Sequence, residues 1–147
     1  MRLNALITAA AGMTLLACSD VSIAGPLDQR TVVDGLLTFT VSDTLGIPGI
    51  SFAKPAISVD ASKIVVTNTR YGSLCLYDVT GHADITANTV TLHVTYAQRL
   101  TVCTAELRFL RYRAEIGPLP AKSYTVNVVH EENGHSEMLV TQAVTLP

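Results

Sequence analysis

"NTVTLHVTY", residues 88–96, decides the fold class. Val90, Leu92, Val94 and Tyr96 fall on one side of an extended chain, and Thr89, Thr91, His93 and Thr95 on the other. Successive side chains of a strand point to opposite faces, so this period of two predicts a strand with one buried and one wet face. Working outward, "LLTFTVS" (residues 36–42) repeats the pattern with Leu37, Phe39 and Val41. "KIVVTNT" (63–69), "SLCLYDV" (73–79), "SYTVNVV" (123–129) and "SEMLVTQAVTL" (136–146) are further β-rich runs. Turn signals separate them: "DAS", "RYG", "TGHAD", "TAN", "GPLP" and "ENG". No helical period follows the first twenty residues. Short strands at about ten-residue spacing predict an all-β sandwich or barrel.

"IGPLPAKSYTVNV" (116–128) chooses between these. Leu119-Pro120, then Tyr124, then the alternating Val126 and Val128 resemble the tyrosine corner of immunoglobulin-like sandwiches. In that corner a tyrosine hydroxyl bonds back to upstream backbone. The resemblance spans about residues 55–147 and implies an Ig-like or fibronectin-like antiparallel β-sandwich. It departs from antibody domains: there is no tryptophan, and Val126 stands where the second bridging cysteine of that family would be. The sandwich architecture hosts many unrelated functions, so it licenses none by itself.

The N-terminus reads differently. Arg2 precedes a mostly apolar stretch, residues 6–16, too short for the ~20 residues of a membrane-spanning helix. A positive head, a short apolar centre and a small residue before a break form a secretory signal. The break, "LLAC" (15–18), resembles the lipobox of bacterial lipoproteins. The resemblance implies cleavage before Cys18 and acylation of Cys18, including a palmitate-type chain. Residues 1–17 are then signal peptide, 18–29 lipidated N-terminus and tether, and 30–147 the sandwich domain. Ser19 after the cysteine resembles the outer-membrane sorting signal, which implies a protein anchored to the outer membrane and facing the periplasm. Two or more acyl chains give stable anchoring.

The mature chain would keep nine basic residues (ten in all, less Arg2) against twelve acidic ones, which gives no electrostatic reason to expect nucleic acid. Cys75 and Cys103 remain. An even count in an oxidising compartment predicts a disulfide, and neither CxxC spacing nor an adjacent histidine favours a redox or metal pair.

"HEENGH" (130–135) brushes against a zinc-protease motif, but that motif sets histidines at i and i+4 on a helix. Here they are at i and i+5, around an Asn-Gly pair that favours a hairpin. A two-residue loop would set Val128 against Leu139 and strand Met138 and Val140 on the wet face. A three-residue loop with Gly134 as a bulge sets Val128 against Met138 and Val126 against Val140. Because a one-residue slip flips every side chain, the apolar match predicts the odd loop, with His130 and His135 on opposite faces and no metal held. His82, in the turn "TGHAD", and His93 read as surface residues.

In "AELRFLRYRAEIG" (105–117) the apolar phase changes from odd (Ala105, Leu107, Phe109) to even (Leu110, Tyr112, Ala114, Ile116). A β-bulge near Phe109–Leu110 would reconcile them. The outer face then carries Glu106, Arg108, Arg111, Arg113 and Glu115, and Arg108, Arg111, Arg113 and His135 become candidate contacts for an acidic partner or a surface glycan. No nucleophile elbow, phosphate loop or paired-carboxylate cleft is legible, so an enzyme is not expected and no cofactor is implied. The reading that remains is a non-catalytic protein-binding accessory of the envelope, of inhibitor or immunity type. A structural or assembly subunit, or a carbohydrate-binding sandwich, are the alternatives. Cys18→Ser is expected to release the protein from membranes or leave it unprocessed, read by cell fractionation. Unchanged co-fractionation with the outer membrane would contradict the lipobox.

Overall fold

The computed structural model describes residues 28–46, 54–103 and 107–147, so Cys18, the leader, most of the tether, Ala105 and Glu106 lie outside the described residues. The described chain is all-β. It runs β1 (Asp28–Asp34), β2 (Leu37–Leu45), β3 (Ala56–Asp60), β4 (Lys63–Tyr71), β5 (Tyr77–Thr86), β6 (Thr89–Gln98), β7 (Arg108–Ile116), β8 (Ser123–Glu132) and β9 (His135–Thr145). Two sheets face each other, one ordered β1-β2-β7-β4-β3 and the other β5-β6-β8-β9. This is the β-sandwich that the alternation predicts.

Its core is built from the predicted faces. Val90, Leu92, Val94 and Tyr96 of β6 are sealed from solvent, as are Leu37, Phe39 and Val41 of β2. Leu110, Tyr112, Ala114 and Ile116 of β7 meet Tyr124, Val126 and Val128 of β8 in one continuous cluster. Phe39 and Tyr112 stack with ring centroids 5.6 Å apart. Gly81 lets β5 close over Phe39: a Cβ there would lie 2.3 Å from the ring.

The corner forms as expected. Tyr124 is buried, and its hydroxyl donates to the Pro120 carbonyl at 3.0 Å. One pairing was not expected. β6 and β8 run parallel, so the second sheet is mixed. After β6 the chain crosses to the other sheet as β7 and returns as β8, and two reversals restore the direction of β6. Parallel neighbours require such a crossover.

Three expectations are corrected. First, "TGHAD" is no turn: it lies inside β5, and His82 pairs with His93 across the ladder. Second, β7 has no bulge. It pairs without interruption with β2 and β4, so Phe109 faces outward. It is nevertheless buried, because Tyr71 packs edge-on against it and Gly46 lies close beneath. Third, the hairpin has the even loop. Glu132 pairs with His135 around Asn133 and Gly134, both at positive φ (52° and 78°), as a type I′ turn requires. A bulge at Leu139 then shifts the register, setting Val128 against Val140 and Val126 against Gln142. Met138 pairs with Val129 on the outer side and is 58% exposed. The bulge rescues Val140 for the core without lengthening the loop.

Cys75 and Cys103 are bonded, with Cα atoms 6.0 Å apart. The bridge ties the β4–β5 loop to the segment that follows β6. Nearby, buried Asp43 accepts the Leu74 backbone N–H at 3.0 Å and lies 3.5 Å from Arg108, which fixes the same loop from inside. Tyr124→Phe is expected to lower stability by about 1 kcal/mol, because it leaves the Pro120 carbonyl without its donor. Denaturant unfolding checks this, and an unchanged midpoint would show the bond to be idle.

Candidate functional site

The inner faces of four strands are apolar at one end of the sandwich and turn polar at the other. On β4 the inward series is Ile64, Val66, Asn68, Arg70, and on β8 it is Val126, Val128, His130, Glu132. β6 and β7 bring Tyr96 and Tyr112 to the same end. Two sheets held core-to-core force these groups together.

Arg70 organises them. Its guanidinium lies over the Tyr96 ring at 4.2 Å and near that of Tyr77 at 5.7 Å, while Nη2 donates to Glu132 Oε2 at 2.9 Å. A cation on an aromatic face is held by the ring quadrupole, worth about 0.5–2 kcal/mol according to desolvation. His130 fills the space beside it, 5.2 Å from the Tyr96 ring and 5.7 Å from that of Tyr112. Burial pushes His130 down to about 4, and the Arg70 charge adds to this. Burial also raises Tyr112 well above the usual phenol range, with neighbouring Tyr96 adding to it. Tyr112 therefore keeps its proton, and its hydroxyl shares a hydrogen bond with His130 Nε2 at 3.0 Å. Tyr96 is raised as well, chiefly by burial, and its hydroxyl is buried without a hydrogen-bond partner among the described residues. Tyr77 is raised by burial and then by the Glu132 carboxylate.

A cleft of about 460 Å³ opens above this group, lined by residues 68–72, Leu76, Tyr77, His130 and Leu139. A second groove of about 300 Å³ shares Arg70, His130 and Leu139 and extends past Glu132 to His135 and Glu137. Disulfide-bonded Cys75 holds the Leu76 wall.

The structure places the predicted contact residues apart. Arg111 and Arg113 lie on the outer face of the first sheet, where Arg113 donates to Glu115 at 2.9 Å and Lys63 reaches the same carboxylate at 3.0 Å. Arg108 belongs to the opposite face, turned inward toward Asp43. His135 sits at the hairpin tip, on the rim of the second groove. The sequence reading missed Arg70, Tyr77, Tyr96 and Tyr112 as site residues. The available signal was polar residues in inward phase at the ends of β4 and β8, which is legible only once those ends are known to meet.

Another polar cluster crosses the outer face of the second sheet. His82 contacts Asp34 at 3.4 Å and Asp84 at 3.2 Å; His93 contacts Asp84 at 3.4 Å and Glu131 at 2.9 Å. Hydrogen bonds to Asp34 and Asp84 raise His82, and bonds from His93 and Thr95 lower Glu131. Among the described residues no group of three or more His, Cys, Asp or Glu is arranged to hold a metal ion. Among the described residues there is no helix long and apolar enough to cross a membrane. No protein-family model, curated protein or solved structure matches the chain.

His130 gives the site a pH signature. Between about pH 6.5 and about 4 the unfolded chain binds a proton that the folded His130 refuses, so this residue's contribution to stability falls as pH drops through that window. NMR titration of the imidazoles is expected to show His130 unchanged until its midpoint near 4, and His82 titrating above its ordinary value. A His130 midpoint near 6.5 would mean that the cleft floor is open to water.

Proposed function

We propose that this chain is a lipid-anchored, non-catalytic binding module of the bacterial cell envelope, and that it engages a partner protein at the cleft between β4 and the β8–β9 hairpin. The observation that carries the reading is the pre-assembly of the cleft. Arg70, Glu132, Tyr96, Tyr112 and His130 are already paired and stacked with one another. A partner entering such a site need not first order its side chains, and that saved entropy appears as affinity. Aromatic and arginine side chains are the residue types enriched in the energetic centres of protein interfaces. The "LLAC" leader supports the location, and the Cys75–Cys103 bridge fits an oxidising compartment. The anchor would hold the module at the membrane surface while the cleft, at one end of the sandwich, meets its partner. An accessory, inhibitor or immunity-type role fits a single small domain of this kind.

The test is photocrosslinking in cells that produce the anchored chain. A photoreactive residue replacing Leu76, in the cleft wall, is expected to capture one discrete protein. The same residue replacing Ser42, on the outer face of the first sheet, is expected to capture none. Capture through Ser42 alone would move the interface elsewhere, capture of a large membrane complex would favour the assembly-subunit reading, and no capture from either position would contradict the binding role.

A further inference from the structure

We propose that Asp34, His82, Asp84, His93 and Glu131 form a proton-operated clasp between the two sheets. It fastens β1 over β5 while the His82 ring carries two protons, and it slackens when that ring loses one. The clasp lies on the outer face of the second sheet and does not depend on what the cleft binds.

The seam it closes is a gap between sheets. β1 ends one sheet and β5 ends the other, and among the described residues no ladder joins them. Side chains span the seam instead. Arg30, Val32 and Asp34 of β1 share a face with Val41, Phe39 and Leu37 of β2, the face that covers the core. From that face Arg30 reaches Asp78 on β5 at 2.8 Å, and Asp34 reaches His82 at 3.4 Å. Val32, between them, is half exposed and seals little. The two ionic ends therefore set how closely β1 lies on β5.

The ends differ in kind. A guanidinium keeps its charge over the whole working range. The histidine end does not. His82 Nδ1 faces Asp34 at 3.4 Å and Nε2 faces Asp84 Oδ1 at 3.2 Å. A neutral imidazole has a single N–H, so only the doubly protonated ring donates to both carboxylates. The pattern continues across the sheet. His93 is the direct cross-strand partner of His82, which lets Asp84 serve both rings. Its Nε2 lies 3.4 Å from Asp84 Oδ2, and its Nδ1 lies 2.9 Å from Glu131 on β8. Thr95 donates to the other Glu131 oxygen at 3.0 Å and steadies that end. One chain of contacts thus runs from β1 through β5 and β6 to β8.

Hydrogen bonds to Asp34 and then to Asp84 raise His82 above the ordinary histidine value of 6.5. A group raised in the folded state contributes stability that is complete below its unfolded value and lost as pH rises through its folded midpoint. His130 acts in the other direction, below 6.5, so the two histidines work in separate windows with opposite sign. When His82 loses a proton, the shorter contact, to Asp84, keeps the remaining N–H. The longer one, to Asp34, then sets a lone pair against a carboxylate and is released. Among the described residues β1 is laddered to β2 alone, so the release shows as local opening of β1 rather than as unfolding.

The test is amide hydrogen exchange of the full-length chain, expressed as protection factors so that the intrinsic pH dependence of exchange cancels. As pH rises through the His82 midpoint, protection of the β1 amides is expected to fall about two- to fivefold, the range of one exposed ion pair, while that of the β6–β8 ladder holds. The step is expected to vanish in His82→Gln and in Asp34→Asn, and the His82 midpoint to fall in the latter. Both side chains are more than half exposed, at 61% and 63%, so neither substitution disturbs the core. Arg30→Gln is expected to lower β1 protection at every pH and to keep the step. Ring nitrogen shifts are expected to place the last proton of neutral His82 on Nε2. β1 protection that ignores pH, a step that survives either His82→Gln or Asp34→Asn, or a neutral His82 protonated on Nδ1 would overturn the proposal.

Discussion

A strand has only two faces, and in β4 and β8 the inward face is apolar at one end and polar at the other. That single constraint yields both the core and the cleft. Where Ile64 and Val66 meet Val126 and Val128, the sheets exclude water. Removal of apolar surface from water, at roughly 25 cal/mol per Å², drives the packing there. Where the same faces continue as Asn68, Arg70, His130 and Glu132, no apolar match remains. Polar groups drawn into a sandwich must find partners or they cost more than the fold gains. They find each other: Arg70 takes Glu132 and the Tyr96 ring, and Tyr112 is hydrogen-bonded to His130. The cleft is the part of the sheet interface that alternation places inside and chemistry keeps from closing.

The same end of the molecule carries its cross-links. Asp43 binds the Leu74 N–H, and Cys75 is tied to Cys103 within the same loop. Closing a loop of this length stabilises by about 3–4 kcal/mol in the chain-entropy model. The bridge also fixes Leu76 as a wall of the cleft. At the opposite flank, Arg30 and Arg99 share Asp78 at 2.8 and 3.0 Å, holding β1 over β5. These exposed pairs are worth less than about 1 kcal/mol each. Their effect is to orient the edge of the sandwich rather than to hold it together.

Period-two alternation made much of this legible before any coordinates. The faces of β2 and β6, the Tyr124 corner and the Cys75–Cys103 bridge all follow from local pattern or from counting cysteines. The errors share one cause: they concern which strand lies beside which. "TGHAD" carries glycine and polar residues, yet lies inside β5 because β6 pairs along its whole length. Phe109 could be assigned inward through a bulge only while Tyr71 and Gly46 were not known to cover it outside. The hairpin posed a choice between two loops, and the chain took the even loop with a bulge at Leu139. Arg70 was invisible as a site residue because nothing local says that its strand end will face Tyr96 and His130. Arg108 joined a row on paper and left it in space, since the uninterrupted register turns it toward Asp43.

The central claim is that alternation brings Arg70, Glu132, Tyr96 and His130 together as one pre-assembled, walled cleft. A double-mutant cycle of Arg70→Gln and Glu132→Gln, read by denaturant unfolding, tests it most directly. The account predicts that the two substitutions together cost less than the sum of the single ones, with a coupling of about 0.5 kcal/mol or more. Additive costs would mean that the pair is not made in the folded protein, and the account of the cleft as a pre-assembled site would be wrong.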